Sequence, residues 1–108
     1  MQNKESHKAE IRKHYILHAD WLGLAKDAVE NLKKVKNVVE IYLKLDHING
    51  LEIEVFCENF GSTVREIAHI EASGLFGRYD NTWGSIHSHD ISDMSISYLT
   101  NFYKIKVR

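Results

Sequence analysis

Two histidines separated by one serine are the residues whose types and spacing point most directly to chemistry. His87 and His89 lie in the stretch "WGSIHSHDISD", which runs from Trp83 to Asp93, and Asp90 follows them directly. Side chains two residues apart point to the same face of a β-strand, so both imidazoles could reach one metal ion. An aspartate could supply a third ligand only if the chain turned sharply after His89.

The run "GSIHSHD" resembles the His-Ser-His core of the JAB/MPN metalloproteases, zinc isopeptidases in which a Ser-x-x-Asp segment follows the core. The resemblance implies that His87 and His89 are zinc ligands and that an upstream glutamate acts on the metal-bound water. The sequence departs from the pattern, because Asp90 replaces the common proline and residues 95–101 lack an aspartate at the expected offset. We therefore predict no metal and no cofactor, with a zinc-dependent hydrolase as the alternative.

Other patterns that could support catalysis are weaker. His14 and His18 lie one helical turn apart, but the residues between them lack the glutamate of a zinc-protease helix. Cys57, the single cysteine, lies in the apolar run "LEIEVFC", which indicates a buried thiol rather than a nucleophile. The sequence contains no Gly-x-Ser-x-Gly elbow and no P-loop. We therefore predict that the protein is not an enzyme.

Charge is distributed unevenly along the chain, although the net charge is only −1. Residues 1–36 carry eight Lys/Arg and five Asp/Glu, a charge of +3; residues 37–101 carry three and ten, a charge of −7; and residues 102–108 carry three basic groups. An acidic middle favours a basic protein partner and disfavours nucleic acid, whose phosphates it repels. Alternatively, the basic ends fold back and neutralise it.

The length of 108 residues, with 44% hydrophobic residues, fits a single domain spanning 1–108. The polar amino terminus lacks the apolar stretch of a secretory signal, and no run of apolar residues is long enough for a membrane helix. We expect a cytoplasmic protein that does not bind membranes.

The stretch "DWLGLAKDAVENLKKV" has apolar residues at spacings of three and four, which predicts an amphipathic helix with Asp20 as its cap. The same spacing continues upstream at Ile11, Tyr15, His18 and Leu22. Either one helix begins near Ser6 and continues through this region, or two helices meet between His18 and Asp20.

Alternation of apolar and polar residues predicts strands near 38–45, 51–57 and 102–107, with the odd-numbered residues buried. Asn49 and Gly50 suit the tight turn of a hairpin between the first two. Residues 63–73 could form either a helix or a strand. Thr63 and Glu66 fit a helix cap, whereas the small and apolar residues alternate as in a strand. The expected fold class is α+β, with an N-terminal helix or helix pair packed on an antiparallel β-sheet.

Residues 74–93 contain three glycines, three aspartates and several aromatic residues, which is typical of a loop that carries function. Phe76 and Trp83 could instead fill the core. We predict a partner-binding surface of acidic and aromatic side chains: Glu52, Glu54, Glu58, Tyr79, Asp80, Trp83, Asp90 and Asp93.

In size, acidic middle and lack of a catalytic motif, the chain resembles the small immunity proteins with which bacteria neutralise their own toxins, many of them cationic nucleases. The resemblance is one of general character and implies an inhibitor of a basic partner, such as a cognate nuclease toxin. The alternative without catalysis is a structural module that pairs with its own copy as a homo-oligomer.

Overall fold

The computed structural model describes residues 19–93 and 97–108, and its helices and strands confirm the α+β class. In chain order they are α1 (Trp21–Lys33), β1 (Val38–Asp46), β2 (Gly50–Cys57), α2 (Phe60–Ala72), β3 (Gly84–Asp90) and β4 (Tyr103–Lys106). Short 3-10 turns at Leu75–Gly77 and Ser97–Asn101 precede β3 and β4. Among these residues, no helix has the length and apolar character needed to cross a membrane.

The described strands form one sheet in the order β3-β2-β1-β4. The predicted hairpin is present, because β1 pairs antiparallel with β2, and β4 pairs antiparallel with the other edge of β1. The sheet is nevertheless mixed rather than wholly antiparallel. Its additional strand, β3, lies in the stretch predicted to be a loop and pairs parallel to β2, with α2 as the crossover between the two strands.

The core lies between α1, α2 and one face of the sheet. Four side chains of α1 are buried there: Trp21, Leu24, Ala28 and Leu32. They pack against odd-numbered residues of the strands, as predicted: Ile41, Leu43, Leu51, Ile53, Val55, Cys57 and Ile105. The prediction is wrong at Val39, because the register shifts between Val38 and Glu40 and places Val38 in the core instead. It also fails at Leu45 and Tyr103, which are 43% and 71% exposed.

Residues 63–72 of the ambiguous segment belong to α2. This helix begins at Phe60, before Thr63 and Glu66, the pair that fits a capping box. Asn59 adopts a left-handed conformation before the first turn of α2. The Thr63 hydroxyl donates to the carbonyl of Glu58 at 2.9 Å and therefore ties the helix back to the end of β2. Ile67 is buried against the core while Ala68 is exposed, a helical rather than an alternating pattern.

The start of α1 excludes the first alternative, one helix that continues through Asp20. Asp20 has φ −84° and ψ 70°, which is not helical, and its side chain accepts a hydrogen bond from the Gly23 amide at 2.9 Å. It is therefore the N-cap of α1, as predicted. The upstream positions Ile11, Tyr15 and His18 lie outside the described residues.

The cap provides a test of where α1 begins. We expect Asp20→Ala to lower the free energy of unfolding by about 1 kcal/mol, because the Gly23 amide loses its acceptor. Asp20→Asn retains an oxygen at that position and should have a clearly smaller effect. Urea unfolding of both variants measures the difference, and equal losses would contradict the assignment.

Candidate functional site

The two histidines lie in a strand at one edge of the sheet. In the register of β3 with β2, Glu54 is opposite His87 and Phe56 is opposite His89. Paired residues share a face, and Glu54 and Phe56 alternate with the core residues of β2, so both histidines lie on the face opposite α1 and α2. We call this face, with its residues Glu40, Tyr42, Glu54, Phe56, His87 and His89, the outer face.

His87 and His89 share the outer face but interact with different partners. His89 Nε2 lies 3.0 Å from Glu54 Oε2, and its ring stacks on Phe56 with centroids 4.9 Å apart. His87 is exposed, and its Nε2 lies 3.2 Å from the hydroxyl oxygen of Ser85. His89 therefore bridges two strands, whereas His87 forms a local contact within its own strand.

Aromatic and polar contacts continue across the outer face to β4. Tyr42 packs edge-to-face on Phe56, with centroids 5.5 Å apart, and its hydroxyl donates to Glu40 at 2.7 Å. Burial, the hydrogen bond to Glu40 and the charge of that carboxylate together raise the pKa of Tyr42 to about 12, with burial as the largest cause. Lys104 reaches Glu40 at 3.6 Å. This network joins β1, β2 and β4.

Residues directly before β4 lie against the outer face. Consistent with this, Phe56 and Leu99 are buried but lie outside the main core cluster, and Lys44 Nζ is 5.6 Å from the Phe102 ring centroid. The region around Phe56 is thus a second, smaller core.

Three of the predicted partner-binding residues lie at the end of the sheet where β2 and β3 finish. Asp90 is opposite Cys57 in the register, and the amide of Ile91 donates to the carbonyl of Cys57 at 2.9 Å. Glu58, Asp90 and Asp93 are all exposed, and none forms an ion pair with any described residue. We call these three residues the acidic end.

Tyr79, Asp80 and Trp83 lie at the opposite end of the sheet from the acidic end. The seven residues of β3 separate the two groups by about 20 Å at the usual rise of a strand. The prediction of a loop over residues 74–93 is therefore wrong for residues 84–90, which form β3. The core alternative fits Trp83 better, because its ring packs edge-to-face on Trp21 at 5.2 Å and its Nε1 donates to the Ile48 carbonyl. Phe76 likewise packs against the core cluster.

Glu52 and Glu54 lie between these two groups and join neither. Glu54 is only 7% exposed, and its carboxylate contacts His89, so it has little surface to offer to a partner. Glu52 is half-buried and accepts a hydrogen bond from the Asn49 side chain at 3.2 Å. The alternation that buries Ile53 and Val55 also directs both glutamates to the outer face.

The basic carboxyl terminus does not neutralise the acidic end within the described residues. Lys104 pairs with Glu40, and the Arg108 guanidinium donates to the carbonyls of Val35 and Val38 beside the start of β1, where the Asn37 carbonyl accepts from the Glu58 amide at 2.8 Å. Lys33, Lys34 and Lys36 are exposed on that side. One end of the sheet therefore carries carboxylates beside β2 and β3 and cations beside β1.

Sequence patterns do not indicate the part played by Glu71. Its carboxylate Oε2 accepts a hydrogen bond from the amide of Ile86 at 3.0 Å, on the side of β3 that faces away from β2. An unpaired amide at a sheet edge invites another strand, and this contact occupies one such amide. The role depends on β3 being an edge strand, which only the pairing of strands determines.

Within residues 19–93 and 97–108, no three His, Cys, Asp or Glu side chains are arranged to hold a metal ion. We expect protein purified without a histidine tag to contain far less than one equivalent of zinc, because His87 and His89 contact separate partners. Elemental analysis measures this. Stoichiometric zinc that His87→Ala removes would favour the hydrolase alternative instead.

The different contacts of the two histidines predict different effects on stability. We expect His89→Ala to lower the free energy of unfolding by about 2 kcal/mol, because it removes a stacked ring and a hydrogen bond to a buried carboxylate. His87→Ala is the matched control and should change it by less than about 0.5 kcal/mol. Equal losses in chemical denaturation would contradict this division of roles.

Comparison with known proteins identifies no matching family model, and no curated protein or solved structure is significantly similar to the chain.

Proposed function

We propose that this protein is a non-catalytic binding protein whose acidic end binds a basic protein. In the specific form of the proposal, it is a bacterial immunity protein that inhibits a nuclease toxin in the cytoplasm. The observation that supports the binding function is the position of Glu58, Asp90 and Asp93 at one end of the sheet, all exposed and without an ion pair to any described residue.

The rigidity of the acidic end favours selective binding. Asp90 Oδ1 accepts a hydrogen bond from the Ser92 amide at 3.1 Å, and the Asp93 amide donates to the Asp90 carbonyl at 2.9 Å. These bonds hold the turn in which two of the three carboxylates lie. A partner that binds them therefore orders little additional backbone, which lowers the entropic cost of association.

A nuclease is a fitting partner because the site that holds its phosphate substrate is rich in cations. Exposed carboxylates attract such a surface over a distance and accelerate the encounter. The cations beside β1 restrict the orientation, since they repel the same surface. Tyr79 and Trp83 are excluded from the proposed contact because they lie at the opposite end of the sheet.

Neutralising the acidic end tests the proposal. The natural host's lysate is passed over the immobilised full chain, over a triple variant of the acidic end, and over a control that loses the same charge elsewhere. The test variant is Glu58→Gln with Asp90→Asn and Asp93→Asn, and the control is Glu52→Gln with Glu66→Gln and Asp80→Asn. We expect a basic protein to bind the native chain and the control, and about tenfold less to bind the test variant.

The purified partner then separates binding from inhibition. Asp90→Asn with Asp93→Asn should slow association at low salt and flatten its dependence on salt, with a smaller effect on dissociation. Stopped-flow mixing measures both rates. Equal association rates for this variant and the native chain would remove the acidic end from the interface. A partner that is bound but remains fully active would refute the inhibitor role alone.

A further inference from the structure

The outer edge of β3 carries main-chain groups that no described strand binds. On the inner side, the Leu51 amide donates to the Trp83 carbonyl at 3.0 Å, and the Ile91 amide donates to the Cys57 carbonyl at 2.9 Å. In a parallel ladder, alternate residues direct both main-chain groups towards the neighbouring strand. The odd-numbered residues of β3 therefore face β2, and its even-numbered residues direct their N–H and C=O groups away from the sheet.

Several of these outward groups have no acceptor or donor within the described residues. Glu71 accepts from the Ile86 amide, and the Asp90 carbonyl accepts from the Asp93 amide. Among the described residues, none binds the Ile86 carbonyl, the Asp90 amide or either main-chain group of Ser88. Sheet edges add a further strand through such groups, so the stretch from Ile86 to Asp90 can bind one.

The β3 edge lacks the features that usually protect an edge strand. β3 has seven residues and contains no lysine, arginine or proline. At the other edge, β4 has four residues, of which Lys104 and Lys106 are exposed. Lysine side chains and a short length both oppose strand addition. Addition at β3 is therefore favoured over addition at β4, and the Glu71 contact blocks it only beside Ile86.

Carboxylates lie at both ends of the free stretch. Glu71 occupies the edge at Ile86, and Asp90 and Asp93 follow at the other end. Apart from its histidines, β3 carries no charged residue other than Asp90. An added strand with lysine or arginine side chains would lie beside these carboxylates and be attracted by them, whereas an acidic strand would be repelled.

We propose that β3 binds an extended, cationic segment of the partner as an additional strand. The inference rests on the proposed function, because it gives the way in which the basic protein binds beside the acidic end. An antiparallel segment pairs one of its residues with Ser88 through two hydrogen bonds, and the next bonds involve Asp90 and Ile86. The main-chain bonds supply affinity, and the flanking carboxylates select lysine or arginine side chains.

A second copy of the chain is the less favourable occupant of this edge. Two copies that pair through β3 bring two groups of carboxylates towards each other, and like charges oppose association. Each copy also lacks the cations that the edge selects, since β3 contains no lysine or arginine.

Peptide binding to the full chain tests the proposal. The probe is a short peptide that alternates lysine with valine, and its control has the same number of lysines with prolines that prevent strand pairing. Ser88→Pro removes an outward amide without removing a bond to β2, and Ser88→Ala is the matched variant that keeps the amide. We expect the probe to bind the native chain and Ser88→Ala about tenfold more tightly than Ser88→Pro. The proline-containing peptide should bind all three equally weakly.

Amide hydrogen exchange of the native chain gives a second readout. In the free chain, we expect the Ser88 amide to exchange about tenfold faster than the amides of His87 and His89, which face β2. Addition of the probe should slow exchange at Ser88 and Asp90. This readout requires no variant, so it decides the matter if Ser88→Pro does not fold.

The outcomes separate this inference from the proposed function. Equal affinity of the probe for folded Ser88→Pro and Ser88→Ala, or no slowing at Ser88, overturns strand addition. If the triple variant of the acidic end still weakens binding in that case, the acidic end binds by charge alone, and only the inference fails. If that variant has no effect either, the proposed function loses its support as well. Dimerisation of the native chain that Ser88→Pro abolishes assigns the edge to a second copy and overturns the proposal.

Discussion

The parallel register of β3 against β2 is the constraint on which the described surfaces depend. It places His89 over Phe56 and beside Glu54, and it places Asp90 opposite Cys57. The α2 crossover makes this pairing possible, because adjacent parallel strands cannot be joined by a tight turn. Thr63 fixes the start of that crossover through its bond to the Glu58 carbonyl, and Glu71 occupies an open amide of β3. The contacts of the histidines and the position of the acidic end both follow from this register.

The arrangement of charges follows from the order of the strands. Because β4 lies beside β1, its lysine meets Glu40 on the outer face, and Arg108 reaches carbonyls near the start of β1. The carboxylates of the acidic end follow β2 and β3, on the other side of β1 from β4, and form no ion pair with those cations. The separation gives one end of the sheet two charged sides. Such a pattern favours a partner whose own charges are arranged in the complementary order, and it opposes indiscriminate binding to any basic surface.

The two faces of the sheet are covered in different ways. On one face, α1 and α2 cover β2, β3 and part of β1. The part of the sheet that they leave uncovered forms an apolar groove lined by Leu22, Leu43 and Tyr103. On the other face, aromatic and charged side chains support one another, and Phe56 and Leu99 are buried without a helix among the described residues. A mixed sheet whose ends join through crossovers tends to be covered on both faces. The groove is the exception to this tendency in the described part of the chain.

Local patterns in the sequence determined the elements whose signals lie within a few residues. Periodicity and Asp20 specified α1, and alternation with Asn49-Gly50 specified the hairpin, because each of these signals acts between residues that are close in the chain. The pattern did not reveal β3, since Ser88 occupies an inward position and histidines occupy the outward ones, so apolar alternation is absent. The sequence also identified the carboxylates of the candidate site but not their grouping. Tertiary structure alone decided that Glu58 lies at the same end of the sheet as Asp90 while Trp83 joins the core, because strand pairing brings together residues that are distant in the chain and separates residues that are near.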